Sequence, residues 1–420
     1  MWNLVGVIVA FAVIIILIRK RVNFGLSIIL GSLIVGFFSL QTIELIDIPK
    51  AIIEASIYSF EEQQIFTQTI ELALLLFFIF ILAKCMQGTG AIVKLINSLR
   101  PFFSKGGTLG VIPAIYGLMP VPGGALFSAP MIDEEGKKYQ LNKNQKNFLN
   151  VWFRHIWFPI YPISSAMILI TSEKFSNINI YLLVLVNIPA FIASILIGTV
   201  YLKRFIKEKT APQENLGKDY SGLIYLLPPV LPLVFYGVLQ FFNISQIRSF
   251  LIGVVFSIIL LYFLIDINSK DYLELIKKSL SWKLPLAIFG ILIFREMFEV
   301  SGANVLIADL IKTLPIPALL IVILVPLLLG TLTGYNLGAV ALSYFLVEPF
   351  FQFTGISIIG LTSIVFISSL AGYLISPIHL CNVLSSEYLK TDTTRMYRTF
   401  IPAIFFLLLI QAVFVFLVFT

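Results

Sequence analysis

His155 and His379 are the only histidines in the chain, and both fall in long apolar stretches interrupted by proline. An ionisable group in such a stretch is a functional hypothesis by default, because charge in hydrocarbon is costly. A histidine that titrates near neutrality carries a proton or, when charged, holds an anion. A neutral histidine bonded to backbone is the plainer alternative, above all for His155. Arg154, beside it, either pairs with a substrate carboxylate or snorkels to a membrane surface. Cys85 and Cys381 show no metal-ligand or disulfide spacing and read as small apolar filler. The chain has no His-Glu-x-x-His, no Gly-x-Ser-x-Gly and no paired aspartates in an apolar run, so no motif supports an enzyme.

These residues sit on two copies of one device. In the first, a run at 108–132 breaks at Met119-Pro120-Val121-Pro122-Gly123-Gly124 and turns back, and the apolar stretch 149–171 follows, broken at Pro159 and Pro162. In the second, a run at 316–349 breaks at Gly330-Thr331-Leu332-Thr333-Gly334-Tyr335-Asn336, and the stretch 357–385 follows, broken at Ser376-Pro377. Proline removes an amide and blocks helix continuation, while glycine allows backbone to approach a ligand. Unpaired backbone in hydrocarbon costs several kcal/mol per group, so the tips must face protein or a wet cavity.

Four half-helices begin at these breaks, near Gly124-Ala125, Gly338-Ala339, Ser164-Ser165 and Ile378-His379, and their amide ends suit an anion. The preceding half-helices end with carbonyls near Met119, Gly330, Phe158 and Ser376, which suit a small cation. Na⁺ at the hairpin tips is the candidate ion. The expected substrate-binding residues are therefore Pro122, Gly123, Gly124, Ser128, Ser164, Thr331, Thr333, Gly334, Asn336, His379 and Asn382. Met119, His155, Phe158, Gly330 and Ser376 are the expected ion-coupling residues. Hydrogen bonding between helices is the competing role for the hydroxyl-bearing members.

The bulk chemistry says where such devices live. The chain is 59% hydrophobic and 12% charged, with mean hydropathy +0.98, too much apolar surface for one soluble core. The expected fold class is an all-α polytopic membrane protein in the lipid bilayer. Runs near the twenty or so residues needed to cross lie at 2–18, 24–40, 69–86, 149–170, 180–202, 223–242, 250–265, 284–300, 358–384 and 400–419. The first has no basic lead and no cleavage site, and reads as a retained span. A formal charge of +7 would suggest nucleic acid in a soluble domain. Here the lysines and arginines gather in short loops and read as topology signals, so no nucleic-acid partner is expected.

With Arg19-Lys20-Arg21 cytoplasmic, both termini and the acidic loop 41–68 are extracytoplasmic, and the basic loops 203–220, 266–283 and 387–398 are cytoplasmic. Lys and Arg flank the first hairpin on both sides, so it enters and leaves at one face. The second is flanked by charge-poor loops and enters from the other. The chain divides into an N-terminal repeat (1–210), a cytoplasmic linker (211–220) and a C-terminal repeat (221–420). Each repeat has five crossings and one re-entrant hairpin, in opposite orientations. Gly90-Ala91 with Gly302-Ala303, Gly124-Ala125 with Gly338-Ala339, and Pro159-Ile160 with Pro377-Ile378 match in common order.

At Met119-Pro120-Val121-Pro122-Gly123-Gly124-Ala125 and Ser376-Pro377-Ile378-His379-Leu380-Cys381 the chain resembles the domain-of-unknown-function 401 family of prokaryotic membrane proteins, along its whole length. That family is grouped in the ion transporter superfamily with gluconate permeases, citrate and dicarboxylate symporters and arsenite permeases. The resemblance implies an elevator-type homodimer in the prokaryotic cytoplasmic (inner) membrane, with substrate and cation at the tips and unwound helices. Both tips differ from the Ser-Asn-Thr of sodium–dicarboxylate members, so H⁺ and Na⁺ both stand as coupling ions. The expected function is secondary active transport of a small anion, an organic acid or oxyanion, by alternating access, with no cofactor beyond Na⁺. A passive anion channel is the alternative, and an intramembrane enzyme a further one.

Overall fold

Backbone in hydrocarbon has to satisfy its own hydrogen bonds, and this chain does so with helices. The computed structural model describes residues 2–60, 62–65, 67–102, 106–118, 124–206, 219–312, 316–391 and 393–420. The first half contains α1 (Trp2–Arg19), α2 (Phe24–Phe38), α3 (Asp47–Ser56), α4 (Gln68–Gly88), α5 (Ala91–Leu99), α6 (Thr108–Gly117), α7 (Ala125–Lys137), α8 (Lys143–Arg154), α9 (Ser165–Thr171), α10 (Ile180–Val186) and α11 (Ile188–Phe205). After a 3₁₀ turn at Ser221–Leu226 the second half contains α12 (Leu227–Leu239), α13 (Gln246–Leu264), α14 (Ser269–Ser279), α15 (Lys283–Val300), α16 (Ala303–Lys312), α17 (Ala318–Thr333), α18 (Asn336–Val347), α19 (Ile358–Ile375), α20 (Leu380–Leu389) and α21 (Thr393–Phe419). Two-residue strands at Tyr58–Ser59 and Gln64–Ile65 form the only sheet among the described residues.

Among the described residues, seven helical segments are long and apolar enough to cross a membrane, so the chain is a helical membrane-embedded protein. The remaining expected runs are helical as well, but α2 is shorter, α15 carries Arg295, Glu296 and Glu299, and 149–170 is broken. The amphipathic helices α3, α5, α14 and α16 occupy stretches that a search for apolar runs leaves as loops. In α5 the buried Ile92, Leu95 and Ile96 recur at helical spacing, with Lys94 exposed between them. α8 starts at Lys143, ahead of the apolar run, because Asn142 and Gln145 form a reciprocal capping box.

Packing sorts the helices into two groups. α1–α4 interlock with α12–α15, chiefly through α2 on α15 and α4 on α13, as a frame. α6–α11 pack with α17–α21 as a core, in which α17 lies along α19 and α6 along α8, while α7 packs on α20 and α18 on α9. α5 packs on the 3₁₀ turn and on α4 of the frame and α6 of the core, and α16 on α1 and α15 of the frame and α18 of the core, so each lies between the groups.

A buried polar tie holds the core's inner helices together. Ser363 Oγ donates to Asn187 Oδ1 (2.6 Å), Gln411 Nε2 donates to Ser363 Oγ (2.8 Å) and to the Val186 carbonyl (2.9 Å), and Asn187 Nδ2 donates to the Pro159 carbonyl (2.8 Å). Proline at 159 interrupts the helix, and this side chain takes up a carbonyl that the interruption releases.

The polar end of α7 is tied back to α8. Lys146 Nζ, 6% exposed, lies 2.9 Å from Asp133 Oδ1, and Lys137 Nζ lies 3.2 Å from Asp133 Oδ2. The hydrogen bond from Lys146, reinforced by Lys137, holds the Asp133 carboxyl below its ordinary range. Such a carboxylate contributes its full stability above about pH 4, its unfolded value, and loses it as pH falls through the lowered native value. Asp133→Asn is expected to lose about 0.5–1 kcal/mol at pH 7, since the pair is part-exposed. The gap in melting temperature from wild type should close as pH drops below about 4. An equal gap at both ends of the titration would show that the charge contributes nothing.

Candidate functional site

The two broken helices meet at their breaks. α8 ends at Arg154, and the chain runs non-helically to α9, whose first turn is capped by Ser164 Oγ accepting from the Met167 amide at 3.2 Å. α19 ends at Ile375, and α20 starts at Leu380 after Ser376-Pro377-Ile378-His379. The interruptions fall where Pro159, Pro162 and Pro377 cannot donate.

Two histidines and a tyrosine line the junction. The ring of His379 lies 4.9 Å from that of His155 and 3.9 Å from that of Tyr373, and Phe158 packs 4.7 Å from His155. His155 Nδ1 lies 2.7 Å from the Val151 carbonyl, which only accepts, so Nδ1 carries the hydrogen and Nε2 presents a lone pair. Tyr373 Oη is 3.4 Å from that Nε2. His379 is fully buried, and neither ring nitrogen has a hydrogen-bond partner. Cys381 adjoins this group: its sulfur and the two histidine nitrogens lie within 4.8 Å of one another.

Arg154 does not snorkel. It is 3% exposed, its Nη1 donates to the Tyr116 carbonyl at 2.7 Å, and its guanidinium lies against the start of α7. A Cβ added to Gly124 would fall 2.1 Å from Arg154 Nη2, so only glycine lets the charge reach this position. Of the first tip, Met119, Pro122 and Gly123 lie outside the described residues. α7 begins at Ala125, where the spacing predicts it.

The second tip differs from expectation. α17 runs on through Thr333 because the Thr331 and Thr333 hydroxyls bond back to the Leu327 and Leu329 carbonyls (2.8 and 2.7 Å) and leave the helix intact. The Gly330 carbonyl is therefore not free but accepts from the Gly334 amide at 3.0 Å, and Gly334 turns the chain at φ +61. α18 starts at Asn336, ahead of Gly338-Ala339. The Ser376 carbonyl is likewise engaged, by the His379 amide at 3.2 Å, while Ser376 Oγ donates to the Thr331 carbonyl at 2.7 Å and joins the tip to the broken helix. Asn336 is 6% exposed with Oδ1 unpaired. Tyr335 stacks edge-on against Phe24 of the frame at 5.0 Å.

A layer of amides supports the junction. Asn150 Nδ2 donates to the Ala125 carbonyl (2.9 Å) and to Ser385 Oγ (2.8 Å), and Ser128 Oγ donates to Asn150 Oδ1 (2.6 Å). Asn147 Nδ2 donates to Ser386 Oγ (3.0 Å), and Ser386 Oγ donates to Asn382 Oδ1 (3.2 Å), leaving Asn382 Nδ2 unpaired. Ser128 is thus a strut between α7 and α8. Asn150→Ala would strand buried partners on two other helices, α7 and α20, and a loss of about 2 kcal/mol is expected in thermal unfolding in detergent. Unchanged melting would mean that water replaces the amide without cost.

Of the expected substrate residues, Gly124, Gly334 and His379 border the junction and Asn336 opens α18 just past the Gly334 turn, whereas Ser164, Thr331 and Thr333 have their hydroxyls committed to backbone. Tyr373, Cys381, Asn147 and Asn150 were not expected. Cys381 lies two residues beyond His379, and that proximity was a signal available in the sequence.

The family described as "Protein of unknown function (DUF401)" matches residues 3–420, and the chain belongs to it. No curated protein matches the chain.

Proposed function

We propose that this DUF401 member is a secondary active transporter that moves a small anion, an organic acid or oxyanion, by alternating access coupled to H⁺ or Na⁺. The observation that carries this reading is the meeting of two helix breaks at a buried arginine. Arg154, 3% exposed at the end of α8, is followed directly by His155, whose ring packs on Tyr373 and His379 from the second broken helix. A buried permanent charge in a membrane chain is costly, and an anion bound beside it offsets that cost. The starts of α7 and α20 add amide ends of the same sign. Discontinuous helices are where transporters of this construction bind substrate.

The order of elements supports reading 1–210 and 221–420 as inverted repeats. In each half two long helices, an amphipathic helix, a long helix and a second amphipathic helix precede a hairpin, a broken helix and a last long helix. The division into frame and core supports an elevator, in which the core with its tips slides against the frame. A mostly apolar cavity of about 730 Å³ between α5, α6, α8, α11 and the 3₁₀ turn, lined by Leu99, Ala114, Phe153, Leu202 and Leu226 with Thr199 and Lys203 as its polar members, supports such a movement, since few polar contacts would have to break along it.

Uptake by the purified chain in proteoliposomes tests the reading with carboxylates, sugar acids and oxyanions under inward H⁺ or Na⁺ gradients. Gradient-driven accumulation of at least one anion is expected. If no anion moves under either gradient the proposal fails, and gradient-independent flux at channel rates would replace it with a passive channel.

A further inference from the structure

Three side chains at the junction are of the types that hold transition metals. His155 comes from the first broken helix, and His379 and Cys381 from the second; their ligand atoms lie within 4.8 Å of one another. Exposures of 3%, 0% and 3% exclude them from bulk water. The ligand set is neutral until the thiol ionises, and the buried Arg154 guanidinium lies near enough for its charge to act on Cys381 and His379.

Two further observations point to a ligand. Both ring nitrogens of His379 are buried without a hydrogen-bond partner, an arrangement that is costly unless something occupies it. His155 is oriented as metal-bound histidines are: Nδ1–H donates to the Val151 carbonyl at 2.7 Å, which leaves Nε2, 3.4 Å from the Tyr373 hydroxyl, as the nitrogen available for a ligand bond. Imidazole and thiolate together select borderline and soft cations over Na⁺, Mg²⁺ or Ca²⁺, which take oxygen ligands.

We propose that His155 Nε2, a ring nitrogen of His379 and Cys381 Sγ form a binding site for a borderline transition-metal dication, with Zn²⁺ as its type ion. Binding converts the Cys381 thiol to a metal-bound thiolate and releases one proton, without change of oxidation state. Three protein ligands leave a fourth position for water or a small anion, as open zinc sites do. The bound ion joins the two broken helices, since His155 follows α8 and Cys381 lies in α20. The site shares His155 and His379 with the junction of the transport reading, but its test stands apart from that reading, because metal binding is measured on the purified chain without any gradient.

The test titrates the full-length chain in detergent with Co²⁺, which reports sulfur ligation by a thiolate-to-cobalt charge-transfer absorption, and then with Zn²⁺ to displace it. One Co²⁺ per chain with that absorption, displaced by Zn²⁺, is expected. Cys381→Ser should abolish the absorption, and His155→Gln and His379→Gln should weaken Zn²⁺ binding about 100-fold or more, since loss of an outer-shell partner alone costs about 10–100-fold. Cys85→Ser, at the other buried thiol, should change neither. The wild-type spectrum needs no variant, so a substitution that prevents folding does not shield the proposal. Absence of the absorption in wild type, its persistence in Cys381→Ser, or its loss in Cys85→Ser would each overturn it.

Discussion

Replacing Arg154 by glutamine is expected to lower anion uptake in proteoliposomes by about 10- to 100-fold, matching the about 1.5–3 kcal/mol of a charge-assisted hydrogen bond. Glutamine can still donate to the Tyr116 carbonyl, which accepts from Arg154 Nη1 at 2.7 Å, so the packing of α8 on α6 should persist. What glutamine lacks is the charge. Arg154→Lys keeps the charge but not the planar fork, and should retain an intermediate rate. Gly124→Leu should match the glutamine variant by a different route, because its Cβ would fall 2.1 Å from Nη2 and 2.5 Å from Cζ of the guanidinium and force it aside. The comparison is made on protein that elutes as a folded species, with uptake measured across anion concentrations. Full uptake by Arg154→Gln would mean that the arginine only supports the fold.

Much of this arrangement is legible in the residues, for physical reasons that also set the limit. Hydrocarbon imposes a length, so apolar runs such as 2–18 and 400–419 mark helices α1 and α21 directly. Proline and glycine impose breaks, so 159, 162 and 377 place the interruptions within a few residues. The amphipathic helices were hidden only from a search for apolar runs, since α5 carries its signal as period and not as length. The second tip falls inside the expected 330–336, but the break narrows to Gly334-Tyr335 because Thr331 and Thr333 bond back to the preceding turn and stay helical. The junction itself was half visible. A lone histidine in each half suggests a pair, but Tyr373, Cys381 and the Asn150 strut join it through tertiary contact between halves more than two hundred positions apart. Spacing along one chain does not encode such contacts.

Gly372→Ala is expected to destabilise the chain by about 3 kcal/mol or more, the upper end of what overpacking costs. A Cβ on Gly372 would stand 2.0 Å from the Leu327 carbonyl oxygen, 2.8 Å from its carbon and 3.0 Å from the Thr331 nitrogen. From the other side, a Cβ on Gly330 would stand 2.5 Å from the Ser369 oxygen and 2.7 Å from the Tyr373 nitrogen. All these neighbours are backbone, which cannot rotate aside, so α17 and α19 touch main chain to main chain. Close approach through small residues is how helices pack where the hydrophobic effect provides no drive. Ordinary contact begins at 3.4 Å, so a methyl group requires the axes to part by about 1.4 Å. That displacement would also pull Thr331 from Ser376, whose 2.7 Å bond sets the second tip against the break that carries His379. Melting temperature and uptake should therefore fall together. Gly237→Ala in α12 is the matched control, since only the Tyr181 hydroxyl lies near, at 3.4 Å. It should be neutral or stabilise slightly, as a helical glycine replaced without strain does. If Gly372→Ala melts with the wild type, α17 and α19 do not cross at these glycines, and the second tip is held by something other than that crossing.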